Sequence, residues 1–159
     1  MTEQMEVPKT LTDYLQRRPE IIAAYLFGSV AAGKAHKFSD VDVALLLTEG
    51  VDSNRAWDLR LEAMDEAETA FGRRADVAIL NQATSTLLKF QVIHRGKLIF
   101  ERDRKARIGF EVDARMEYFD YKPLLDVQDK ELIRRIKTEG LGHGYKRRDR
   151  ALAKSQRKP

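Results

Sequence analysis

A Gly-Ser pair and an Asp-Val-Asp triplet, separated by ten residues, constrain the fold of this chain more than any other feature. Gly28-Ser29 follows the apolar run IIAAYLF, and Asp40-Val41-Asp42 leads into the apolar run VALLL. Because side chains alternate along a strand, Asp40 and Asp42 lie on the same face of the second run. The pattern predicts two buried strands joined by a short turn, with two carboxylates side by side where the second strand begins.

These two carboxylates indicate a function, because neighbouring negative charges repel each other and do not favour stability. A divalent cation between them offsets the repulsion, and carboxylate oxygens suit Mg²⁺, which usually bridges to substrate phosphates. The Gly28-Ser29 turn is suited to contact those phosphates through backbone N–H groups and a hydroxyl. The alternative, solubilising residues on an edge strand, fits poorly with the strongly apolar surroundings. The motif therefore predicts metal-dependent transfer from a nucleoside triphosphate.

Asp76 is the candidate third carboxylate, because it starts the strand-like run DVAIL. If this strand lies beside residues 40–48, Asp76 approaches the same metal ions, and three carboxylates permit a two-metal site. The alternative is a residue that only caps the start of the strand. Ser39 precedes Asp40 and is a weaker candidate for the phosphate site, with shaping of the turn as its alternative role. The loop between the motifs also carries basic side chains, for which a solvated role is favoured over phosphate contact: Lys34, His36 and Lys37.

Hydrophobic periodicity and turn residues predict the other elements. The expected helices and strands occupy the following ranges: helices 8–19, 53–71, 83–95, 103–118 and 126–137, and strands 21–27, 40–48, 76–80 and 97–100. Thr10 or Thr12 is expected to cap the first helix, and Pro19 to end it. The spacing between the second and third strands leaves room for a helical crossover. The result is a mixed α/β domain with a small sheet of about four strands flanked by helices.

Composition restricts the class of protein. The 159 residues include no cysteine, which excludes disulfides, thiolate zinc sites and cysteine nucleophiles. No apolar run approaches the roughly 20 residues needed to span a bilayer, and no secretory signal is visible, so a cytoplasmic protein without membrane association is expected.

We expect a folded domain at residues 1–138 and a basic, disordered tail at 139–159. For this tail, nucleic-acid or partner binding and a solubilising role both stay open.

The motif resembles the signature of the DNA polymerase β-type nucleotidyltransferase superfamily, and the short chain resembles its minimal nucleotidyltransferase branch. The run from Asp76 to Asn81 resembles the third-carboxylate strand of that branch, and the resemblance covers roughly residues 12–135. It implies the polymerase β-like nucleotidyltransferase fold. Many members carry an arginine before the glycine that follows the Gly-Ser turn, where this chain has Ala32 before Gly33.

The resemblance also implies roles for the residues of the motif. Gly28 and Ser29 would bind the phosphates of ATP. Asp40, Asp42 and Asp76 would bind magnesium, as two ions. Asp76 would in addition help to deprotonate the attacking hydroxyl.

Proteins of this branch are often antitoxins whose partner is a small helical HEPN-domain ribonuclease toxin. The resemblance thus implies an antitoxin that is an ATP- and Mg²⁺-dependent protein adenylyltransferase, transferring AMP to a tyrosine of the toxin and releasing pyrophosphate. A homodimer and a hetero-oligomer with the toxin are both compatible with this function. Two alternatives stay open: a binding-only antitoxin with a vestigial nucleotide site, and a small-molecule nucleotidyltransferase of the aminoglycoside type.

Overall fold

A computed structural model of the chain describes residues 6–34, 39–83 and 85–139. The sheet has four strands in the order β3-β2-β1-β4, in which β2 and β3 are parallel and the other two pairs are antiparallel. The strands are β1 (Ile21–Phe27), β2 (Val41–Leu47), β3 (Ala75–Ile79) and β4 (Lys97–Glu101). This mixed sheet with flanking helices confirms the predicted fold class.

Five helices and one 3₁₀ turn complete the described part of the chain. They are α1 (Lys9–Arg17), α2 (Gly28–Ala31), α3 (Ser53–Phe71), the 3₁₀ turn Leu80–Gln82, α4 (Thr86–Arg95) and α5 (Arg104–Glu139). The crossover helix α3 begins at Asp52, whose side chain accepts hydrogen bonds from two backbone N–H groups of the first turn. It ends at Gly72, which has the left-handed φ of 64° that favours glycine at this position. No described helix is both long and apolar enough to cross a membrane.

Two helix predictions were wrong. Neither Thr10 nor Thr12 caps α1, because Pro8 is the N-cap residue and no side chain caps it. The helices predicted at 103–118 and 126–137 are one continuous helix, α5, which runs through Pro123. Proline removes a single backbone donor from a helix, and the flanking residues are mostly good helix formers, so the prediction overestimated its effect as a breaker.

The described contacts divide the chain into two compact units, Met1–Tyr118 and Phe119–Pro159. The first unit contains the whole sheet, helices α1–α4 and the beginning of α5. The second contains the rest of α5. Most of the predicted basic tail lies outside the described residues, so both the tail and a domain boundary at residue 138 stay predictions.

The core of the first unit has two apolar clusters, one on each face of the sheet. One cluster joins α1 and α3 to alternate strand residues such as Val43 and Leu45. The other contains Ala44 and Leu46 of the same strand together with residues of α4, and the start of α5 packs against it. Because Asp42 is two residues before Ala44, its side chain leaves the sheet on the face of the second cluster. The fold thus directs the carboxylates away from α1 and α3.

Candidate active site

The strand pairing brings the predicted carboxylates together. Asp42 of β2 is the register partner of Asp76 of β3, and neighbouring strands lie about 4.8 Å apart. Both side chains leave the sheet on the same face, since register partners in a parallel pair share their orientation. Asp40 lies two residues before Asp42 at the exposed start of the strand. The structure therefore places all three acids at one end of the sheet.

The electrostatics of this end are unfavourable for the protein alone. Burial raises the pKa of the Asp42 carboxyl, and the negative charges of Asp76 and Asp40 raise it further. Among the described residues, neither Asp40 nor Asp42 forms an ion pair. Two neighbouring acids that have no ion-pair partner of their own form an arrangement of charge that a divalent cation would stabilise.

Gly28 connects the Gly-Ser turn directly to the acids. Its backbone has a φ of 71°, which non-glycine residues rarely adopt. A Cβ atom at this position would overlap the Oδ2 atom of Asp42. The residue before it, Phe27, is the register partner of Asp42 in the antiparallel pair of β1 and β2. Only glycine therefore allows the turn to approach the carboxylate so closely.

The remaining predicted residues lie around this turn. Ser29 is half-buried in the single helical turn of α2, and Ser39 is half-buried immediately before Asp40. Ala32 and Lys34 are exposed after α2. His36 and Lys37 lie outside the described residues. The phosphate-binding roles of Gly28, Ser29 and Ser39 stay predictions.

Arg60 of α3 is a site residue that the sequence analysis missed. Its Nη2 atom donates a hydrogen bond of 3.1 Å to Oδ1 of Asp76, and its Nε atom donates one of 2.6 Å to the carbonyl of Val77. The guanidinium also lies over the ring of Trp57, 5.3 Å from its centroid. The only sequence signal is the spacing of three residues between Trp57 and Arg60, which places them on one helix face but does not reveal the strand they reach.

The donor atoms fit a hard divalent cation, although the acids do not form a complete cage. In the described part of the chain, no group of three or more His, Asp or Glu side chains is arranged to hold a metal ion. One oxygen of the third acid, Oδ1 of Asp76, is engaged by Arg60. Mg²⁺ nevertheless needs only one or two carboxylates when substrate phosphates and water complete its shell. Asp40 and Asp42 have the oxygen donors for this role, and the glycine turn lies directly against Asp42.

The chain is similar to known proteins. Residues 9–105 match the family described as polymerase beta, nucleotidyltransferase. The protein adenylyltransferase MntA of Shewanella oneidensis is 33% identical over 82 residues, which cover 52% of this chain and 55% of MntA. The chain thus spans about half the length of this curated relative.

Solved structures show the same fold. A toxin–antitoxin crystal structure with AMP-PNP contains a chain with a TM-score of 0.62 and 26% identity, and the match covers 79% of this chain and 94% of that one. A tri-AMPylated Shewanella oneidensis HEPN toxin in complex with an MNT antitoxin gives a TM-score of 0.57, 20% identity, and coverage of 84% and 99%. At 20% identity, the second similarity supports the fold alone.

Proposed function

Because the chain belongs to the polymerase β nucleotidyltransferase family, we propose that it is a Mg²⁺-dependent protein adenylyltransferase and the antitoxin of a toxin–antitoxin pair. The observation that carries the proposal is the pairing of Asp42 with Asp76, together with the turn at Gly28, where any larger residue would overlap the Asp42 carboxylate. The similarity to the protein adenylyltransferase MntA supports the reaction. The similarity to a toxin–antitoxin structure with AMP-PNP supports both the partner and the nucleotide.

In the proposed reaction, the hydroxyl oxygen of a toxin tyrosine attacks the α-phosphorus of ATP. The new bond joins the tyrosine oxygen to phosphorus, the bond from the α-phosphorus to the oxygen that bridges to the β-phosphate breaks, and pyrophosphate leaves. Oδ2 of Asp76 accepts the proton of the tyrosine, because Oδ1 is already engaged by Arg60. Gly28 and Ser29 bind and orient the triphosphate.

Asp40 and Asp42 would hold the magnesium, with Asp76 completing the site for a second ion. When bound, Mg²⁺ neutralises charge that develops on the phosphates and favours the deprotonated form of the attacking hydroxyl. The raised pKa of Asp42 supports this assignment, because a cation would remove the repulsion that Asp76 and Asp40 cause. Since the reaction consumes ATP, we place the protein in the cytoplasm.

The modification would neutralise a ribonuclease by simple electrostatics. An AMP group adds bulk and negative charge to the toxin, and near the catalytic site it would exclude RNA and repel its phosphates. We propose a HEPN-domain ribonuclease as this toxin, in a hetero-oligomer with the antitoxin. Binding alone could also mask the toxin, which is the binding-only alternative.

The decisive experiment is intact-mass spectrometry of the protein encoded by the adjacent gene, incubated with this chain, ATP and Mg²⁺. We expect the partner to gain one or more AMP masses. The Asp40→Ala/Asp42→Ala double variant, which removes the proposed ligands at the start of β2, should bind the partner without modifying it. If the wild-type protein forms a stable complex but the partner gains no mass, the enzyme hypothesis is wrong and the binding-only antitoxin is favoured.

A further inference from the structure

We infer that Arg60 is a positioning residue for Asp76: it holds one carboxylate oxygen so that the other is presented to the reacting groups. The inference deepens the proposed function and rests on it. Arg60 lies on the crossover helix α3, outside the sequence motif, and reaches the acid around the edge of the sheet.

The guanidinium is fixed by contacts that do not involve the carboxylate. Its Nε atom donates to the carbonyl of Val77, which belongs to the edge strand β3. Its planar group lies over Trp57, which adds a cation–π contact. A backbone oxygen and an aromatic ring therefore hold Arg60 in place independently of its contact with Asp76. An anchored donor of this kind orients its partner, whereas a free surface arginine follows its partner's motion.

Asp76 needs such an anchor because of where it lies. Its side chain is 68% exposed, so packing does little to select its rotamer. Oδ1 accepts hydrogen bonds from Arg60 and from the backbone N–H of Val77, at 3.1 and 2.8 Å. Within the described residues, Oδ2 accepts no hydrogen bond. The two oxygens thus have separate roles: Oδ1 fixes the orientation, and Oδ2 is left for a proton or a metal ion.

The same helix supplies a matched control. Arg55 has a side-chain exposure of 36%, against 35% for Arg60, and it also pairs with a carboxylate. Its partners are Glu20 and Glu62, which are not among the proposed site residues. Arg55→Met and Arg60→Met therefore remove the same type of side chain and the same type of interaction from one helix. Only the second removes a contact to Asp76.

The test compares wild type, Arg60→Met, Arg60→Lys and Arg55→Met as full-length proteins. In toxin AMP transfer, we expect Arg60→Met to lower kcat by about ten- to a hundredfold, as displacement of a reacting group does, with little change in the KM for ATP. Arg60→Lys should recover part of this loss. Arg55→Met should keep the wild-type kcat. In an Asp76→Asn background, Arg60→Met should have no further effect, because the two residues act as one unit.

A second readout does not depend on turnover. Electron paramagnetic resonance of Mn²⁺, added with AMP-PNP, should show that Arg60→Met binds the ion several-fold more weakly than Arg55→Met does. Equal Mn²⁺ affinity and equal kcat for these two variants would overturn the positioning role, even if wild type transfers AMP. A wild type that binds Mn²⁺ in an Arg60-dependent manner but transfers no AMP would overturn the proposed function and leave the role of Arg60 standing. A wild type that binds no Mn²⁺ would overturn both.

Discussion

At one end of β2, Asp42 lies beside Asp76 and against the Gly28 turn, whereas at the other end the strand is closed by Asn81. The Asn81 side-chain amide donates to the carbonyl of Leu47 and accepts from its N–H, at 2.7 Å in both cases. The backbone N–H and carbonyl of Leu47 at this second end are thus both satisfied by the protein itself. At the first end, Asp42 has no ion-pair partner among the described residues, which suits the proposed cation site. The two ends of one strand thus differ: one is stabilised by internal hydrogen bonds, and the other carries the proposed functional residues.

Two carboxylates show the same difference electrostatically. Glu20, at the Asn81 end, has a pKa lowered by a hydrogen bond from its own backbone N–H and by the guanidinium of Arg55, which donates twice to Oε1. Asp42, at the other end, has a pKa raised by burial and by two neighbouring acids. The two pKa shifts have opposite directions, which agrees with a stabilising role for Glu20 and with the proposed cation-binding role of Asp42.

The largest effect on function should come from Gly28→Ala. The new methyl group would overlap Oδ2 of Asp42, so either the turn or the carboxylate must move. We expect AMP transfer to fall by about a hundredfold or more, since small displacements at a reacting centre are costly. Toxin modification, measured as initial rates by intact mass, would show this.

Gly72→Ala is the matched control for that variant. Gly72 has a φ of 64°, close to the 71° of Gly28, but a Cβ there would meet nothing within 4 Å. Both substitutions carry the backbone cost of about 1–2 kcal/mol for a left-handed residue, so both should lower the midpoint of urea unfolding. Comparable transfer rates for the two folded variants would show that the approach of Gly28 to Asp42 is unimportant.

At the opposite end, Asn81→Ala should affect stability and leave the reaction intact. The variant loses two hydrogen bonds to the last residue of β2, at about 1 kcal/mol each, so we expect a loss of about 2 kcal/mol in the free energy of unfolding. Chemical denaturation measures this loss. The transfer rate per folded molecule should stay within about twofold of wild type. A large fall in that rate would mean that the two ends of β2 are coupled.

Part of this architecture was predictable because local signals and tertiary contacts agree. Strand β1 has the predicted bounds, because the continuous apolar run from Ile21 to Phe27 ends at Gly28. Helix α3 also has its predicted bounds, because Gly72 ends it. The shared face of Asp40 and Asp42 follows from alternation alone. Each of these features depends only on residues close together in sequence.

Two other features, the neighbourhood of Asp76 and the role of Arg60, depended on contacts between distant segments. The prediction that Asp76 lies beside Asp42 held only if β3 is the neighbour of β2. No local sequence pattern decides the order of strands in a sheet. Arg60 was missed because its partner carbonyl and carboxylate belong to β3, 17 and 16 residues away. The continuity of α5 through Pro123 was missed because a propensity argument treats proline as a break. Tertiary placement decided the first two, whereas the third prediction overestimated one local signal relative to the helix formers around it.

In metal-free buffer, we expect Asp42→Asn to raise the stability of the protein, by less than Asn81→Ala lowers it. Since the folded pKa of Asp42 is raised, the folded state binds a proton more readily, and stability falls as pH rises through that raised pKa. The asparagine variant avoids this cost. At neutral pH it should therefore unfold at a higher temperature than wild type, with the difference disappearing at a pH below the ordinary Asp value. Calorimetry at the two pH values measures this difference, and a variant less stable at neutral pH would contradict the cost that burial and the neighbouring acids impose on the Asp42 charge.

The smallest expected effect is that of Glu20→Gln, which removes a charge from the stabilising end. Arg55 donates to Oε1, and in the described part of the chain the buried Oε2 has no hydrogen-bond partner, so an amide in its place keeps the existing bonds. The folded pKa of Glu20 is lowered, so its contribution is complete above the ordinary Glu value and is lost as pH falls through the lowered one. At neutral pH we expect a loss of about 0.5–1 kcal/mol, typical of a partly exposed pair. In urea unfolding, the difference in free energy of unfolding between wild type and Glu20→Gln should disappear in acid. The corresponding difference for Asn81→Ala, which involves no charge, should persist. If both differences disappeared, acid would be acting on the strand end as a whole rather than through the Glu20 carboxylate.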